Sequence, residues 1–215
     1  MLDDNNAPRI LIDVKHMSLK ARITYYRKVK NKGIPIIASH GGCSGWSNQG
    51  NPSIIHEATK KFLSVNINFH DFEFKEIAKS KGIFGIQFDE RRIGRKPYVR
   101  KHIKNKTGND LLLGASFLIW NQIQHIAQVL DNTNLDAWDI QSIGRDFDGI
   151  VNCVAGIYTY LDFAVLEPLL KKHARDFLST SAGQGLRTKN KISPDEIVDR
   201  FLRGNALRFL EEWFV

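Results

Sequence analysis

Cysteine is scarce. Cys43 and Cys153 are the two in 215 residues, and neither sits in a CxxC or Cys–His spacing. That excludes a disulfide framework and a thiolate-built zinc knuckle. Two reduced thiols fit a reducing compartment, so a cytoplasmic location is expected. No apolar run approaches the roughly 20 residues of a membrane helix, so no membrane segment is expected. Residues 1–8 are polar and acidic, show no signal peptide, and read as a leader before one folded unit over 9–215. Internal repeats and low-complexity tracts are absent. Acids are missing altogether between Arg91 and Lys106, a stretch with eight lysines and arginines that supplies most of the net charge of +8. The acid-free stretch reads as a loop, either solvated or covering a site for an anionic substrate. Tyr98 is its one aromatic, and nucleic-acid binding wants several for base stacking, so nucleic acid is not an expected partner.

What is present alternates between two periods. Arg9–Val14, Pro35–Ser39, Ile83–Phe88 and Ile140–Gly144 are short apolar runs of the kind that form buried strands. Between them come helical patterns. Leu19, Ile23, Tyr26 and Val29 share one face over 18–32, and Gly33 stands where a helix C-terminus favours a left-handed residue. Further helices are expected over 71–81, 111–130 and 163–177. Ser193-Pro194-Asp195-Glu196 then marks the start of the first of two short terminal helices. Strands alternating with helices predict an α/β fold with a parallel sheet and about four βα units. In such sheets chemistry collects at the C-terminal ends of the strands.

Those ends carry Lys15-His16, then His40, then Asp89-Glu90, then Asp146 and Asp148. Imidazoles and carboxylates are groups that bind zinc and move protons. Asp13 is expected to pair with Lys15. His56, His70, His102 and His173 have no partner at ligand spacing and read as surface residues. The four tryptophans read as core or core-edge packing.

The order strand–His, strand–His, strand–x, strand–Asp resembles the last four barrel strands of the amidohydrolase superfamily. Within it the residues resemble the membrane dipeptidase (peptidase M19) family. LIDVKHMS (11–18) is similar to the family's strand ending in Asp-Leu-Ser-His. IPIIASHGG (34–42) is similar to the strand ending in Ser-His-Ser, and SIGRDFDGI (142–150) to Gly-Ser-Asp-Phe-Asp-Gly. His125 matches a helical histidine, and GNALRFLE (204–211) resembles the family's closing segment. The resemblance implies the C-terminal half of a TIM-like (β/α) barrel. It implies a metallopeptidase that hydrolyses a small peptide or amide with metal-activated water. His16 and His40 would be zinc ligands, Asp146 the catalytic carboxylate, and Arg145 and Asn68 substrate-binding residues.

The chain also departs from that pattern. The family's first His-x-Asp pair and its zinc-bridging Glu have no counterpart here. They are expected on a missing N-terminal half, or their place is taken by a second copy of the chain. The substrate-gripping Arg of an Arg-Asn pair is replaced by Ile67, before Asn68. Lys15 stands for the usual Ser, and Arg145 for a small residue before Asp146. The alternative expectation is a truncated, non-catalytic barrel that serves as a binding or self-association module.

Overall fold

The computed structural model describes residues 10–55, 57–146 and 149–214. The expected leader, His56 and Asp148 lie outside them. The chain opens with helix α1 (Leu19–Val29), capped by the Ser18 hydroxyl, which accepts from the Ala21 N–H. Gly33, at φ +61°, turns the chain into strand β1 (Ile37–Gly41). A small hairpin follows, β2 (Trp46–Asn48) and β3 (Asn51–Pro52), then the single turn α2 (Ala58–Lys61) and helix α3 (Asp71–Lys79). Strand β4 (Ile83–Ile86) leads into α4 (Glu90–Ile93), α5 (Lys96–Ile103) and the long α6 (Gly108–Asp131). Strand β5 (Gln141–Ile143) precedes α7 (Phe163–Leu178), the turn α8 (Ser181–Gln184), α9 (Pro194–Asp199) and α10 (Asn205–Trp213). A π turn over Arg200–Gly204 joins α9 to α10, so the two terminal helices run on as one rod.

The fold is α/β. Its main sheet is parallel, three-stranded, in the order β1-β4-β5. Helices α3 and α6, which link consecutive strands, pack on each other and on β4. The core fills the space between them. Phe84 of β4 meets Phe69 and Phe74 edge-on, each at 5.0 Å between ring centres. Trp120 and Trp138 stack at 6.3 Å and are both buried.

Four expectations are corrected here. The first apolar run does not form a fourth strand. It reaches β1 through one bridge, Asp13 to Ile37, and one hydrogen bond, Val14 N–H to the Ile37 carbonyl. The Asp13 carboxylate takes over the ladder's next position. Its Oδ1 accepts from the Ser39 N–H and the Lys15 N–H, both at 3.0 Å. Asp13 therefore binds backbone rather than the Lys15 ammonium. The acid-free stretch is not a loop. Burial of Ile93 and Val99 folds it into α4 and α5, with all its cations but Arg92 and Lys106 exposed. With three strands, neither a closed barrel nor a four-stranded half of one forms among the described residues.

Candidate functional site

The site is built on a bulge. Pairing between β1 and β4 advances three residues on β1, from Ala38 to Gly41, against two on β4, from Phe84 to Ile86. The extra residue swings the Ser39 carbonyl over the neighbouring strands. Gly85 and Gly144 leave room for it. A Cβ on either would lie 2.0 or 2.2 Å from the Ser39 oxygen. Bulges re-aim side chains at sheet ends, and this one presents His40.

His40 meets the other strand-end groups there. Its ring centre lies 5.0 Å from that of His16. Its Nε2 faces Asp146 Oδ2 at 3.5 Å. On the other side its Nδ1 is 3.0 Å from the Ser39 hydroxyl. His16 and Asp146 both hold left-handed backbone, at φ 70° and 60°. Non-glycine residues adopt that region at a cost, and such residues concentrate at functional sites. His16, His40 and Asp146 thus lie together at the end of β1.

Lys15 adds a cation underneath. It is 7% exposed. Burial, with Arg92 and Arg22 nearby, lowers its pKa to about 8. His40 is held below the ordinary histidine value by burial and by Lys15, against the opposing pull of Asp146. At neutral pH its ring is therefore uncharged and free to accept a proton or a metal. Ser39 and the burial of Lys15 were not part of the expected site. The adjacent Ser39-His40 pair was visible in the sequence, whereas the burial was not.

The remaining candidates are engaged elsewhere. Arg145 is buried and donates to Cys153 Sγ at 2.8 Å, to the Ile157 carbonyl at 3.0 Å, and to the Tyr158 carbonyl. It ties down the chain after β5. Asn68 is fully buried, and its Nδ2 donates to the Cys43, Leu63 and Arg92 carbonyls. Placed so, it offers no donor to a substrate. Asp89 caps α4 and pairs with Arg91 at 2.6 Å. Burial raises its pKa, and the Arg91 contacts outweigh that and bring it below the carboxylate range. Glu90 Oε1 accepts from the Ala155 N–H at 3.2 Å. His125 is buried against Asp71 at 2.8 Å, inside the fold.

Two histidines expected at the surface are buried. His70 Nδ1 meets the Ser44 hydroxyl at 2.6 Å, and His173 Nε2 meets that of Ser116 at 2.9 Å. Their partners lie 26 and 57 residues away in the chain, so no local pattern signals the burial.

The donor types at the site suit zinc, but their number falls short. Stable sites take three or four protein ligands. Among the described residues no group of three or more His, Cys, Asp or Glu side chains converges to hold a metal. The described residues alone do not fit a zinc centre. None of their helices is long and apolar enough to cross a membrane.

No protein-family model matches the chain, and no curated protein matches it. Solved structures similar to the chain include the crystal structure of a dipeptidase described as a metallopeptidase of family M19, 18% identical, with a TM-score of 0.47. The similarity covers 87% of this chain and 42% of that one, so the chain spans less than half of its length. At that identity and score the likeness assigns neither family nor activity.

Proposed function

We propose that this chain is part of a metal-dependent amide hydrolase of the dipeptidase type, acting on a small peptide or amide. Residues 9–215 would belong to the C-terminal half of its barrel and supply three of that half's strands. The observation that supports this reading is the meeting of His16, His40 and Asp146 at one end of the parallel sheet, arranged by the β1 bulge. His16 and His40 would supply two of the ligands of a zinc ion. The other ligands come from a segment outside the described residues or from a second copy. Asp146 accepts a proton from the attacking water and returns it to the leaving amine. Arg145 serves by holding the loop after Asp146, and Asn68 by fixing backbone, rather than by touching substrate.

The test uses the protein purified from its source, with zinc content and hydrolysis of a dipeptide panel measured together. His40→Ala is expected to lower both, activity by about a hundredfold or more. A metal-free wild type that cleaves no dipeptide would overturn the proposal. So would a His40→Ala variant indistinguishable from wild type.

The shortage of ligands favours a second reading, in which the chain is a non-catalytic module that associates with another copy. Saturable self-association without hydrolysis or bound metal distinguishes it.

A further inference from the structure

The acid-free stretch has a place in the fold that the hydrolase reading does not use. Between α4 and α5 lies a cavity of about 510 Å³, within the range of small-molecule sites. Its apolar floor is Leu63, Val99 and Ile103, and its rim carries Arg91, Lys96 and Arg100. Lys96 and Arg100 are four residues apart, on one face of α5. Neither has an ion-pair partner among the described residues, and both are exposed. Glu90 is the single acid on the wall among the described residues, and its carboxylate already accepts from the Ala155 N–H. Gly94 lets the two helices close around the space, because a Cβ there would lie 2.9 Å from Val99 Cγ2. None of His16, His40 or Asp146 lines the cavity. Glu90 and Arg91 belong to α4, the first helix after β4.

We propose that this cavity binds a small organic anion with an apolar body, a carboxylate or a phosphate monoester. Two free cations take the charged head, with the Arg guanidinium suited to a paired contact with either group. The aliphatic floor takes the body.

Titration calorimetry with octanoate, octyl phosphate, octanol and octylammonium tests this. A parallel series of amide NMR spectra locates the site. One or both anions are expected to saturate a single site and shift α5 resonances. Octanol and octylammonium are expected to bind at least tenfold more weakly. The pair Lys96→Gln and Arg100→Gln, both on exposed positions, should weaken the anion tenfold or more. His40→Ala should leave it unchanged, which separates this site from the hydrolase reading. The stronger of the two anions identifies the head group. Absence of saturable binding by both anions overturns the proposal. So does octanol binding as well as octanoate, or affinity unmoved by the double variant.

Discussion

Arg22 and Glu73 are a buried charge pair, 1% and 0% exposed, with Nε to Oε1 at 2.6 Å. Each remaining polar atom is matched. Arg22 also donates to the Met17, Asn66 and Asn68 carbonyls, and Glu73 accepts from the Tyr26 hydroxyl and the His70 N–H. Removing one charge leaves the other buried without compensation. Glu73→Gln is expected to cost about 3–5 kcal/mol, read as a lower urea midpoint. Tyr26→Phe, which removes one hydrogen bond to a charged group, should cost about 1.5–3 kcal/mol. His173 makes the matching case for pH. Its Nε2 lies 2.9 Å from the Ser116 hydroxyl, inside the fold. Burial, with Lys172 nearby, lowers its pKa to about 4. A histidine held below its unfolded value of 6.5 stabilises the fold above that pH. The contribution is lost as pH falls from about 6.5 through about 4, because the unfolded chain takes the proton first. Across that window His173→Met should show a shallower decline in unfolding free energy than wild type. Equal slopes would mean that the ring charges freely in the folded state.

At the scale of elements, two glycines separate two kinds of cost. Gly33 is left-handed, but a Cβ there meets nothing within 4 Å. Gly33→Ala should therefore cost about 1 kcal/mol from backbone strain alone. Gly85 lies in a strand, and its Cβ would strike the Ser39 carbonyl at 2.0 Å. Gly85→Ala should destabilise by about 2–4 kcal/mol and displace the bulge that carries His40. The second effect is checked by histidine NMR, where His40 should lose its depressed titration while His173 keeps its own. The same elements show what the sequence disclosed. The helices α3, α6 and α7 and the runs around β1, β4 and β5 were legible because burial imposes a period on apolar residues. The first run failed as a strand because the Asp13 side chain replaced a ladder carbonyl, which no period records. The stretch 91–106 hid two helices because eight cations masked the few apolar positions, buried Ile93 and Val99 and half-buried Ile103. The places of His40 and Asp146 were legible from the ends of β1 and β5, and that of His16 from the end of the first apolar run, although that run forms no strand. The commitments of Arg145 and Asn68 were not, since most of their partners are backbone carbonyls, which no side-chain pattern records.

For the whole molecule, the surface left open at the C-terminus matters most to the second functional reading. Phe209 of α10 faces inward, while Leu207, Leu210 and Phe214 are 56%, 52% and 61% exposed. Spaced three and four apart, they make one apolar stripe. Acids and bases flank it in opposite order. Arg203 and Arg208 lie toward its start, and Glu211 and Glu212 at its end. Two copies laid antiparallel along this stripe would bring the basic end of each beside the acidic end of the other, as a two-fold contact requires. The second reading therefore predicts a dimer through α10 that weakens in high salt. In sedimentation equilibrium, Leu207→Lys with Leu210→Lys should abolish it without lowering the urea midpoint, because neither side chain is part of the core. Dimerisation that survives both lysines would place the contact elsewhere, with the outer edge of β5 the next candidate. A wild type that stays monomeric at all concentrations would remove the association reading and leave the hydrolase reading alone.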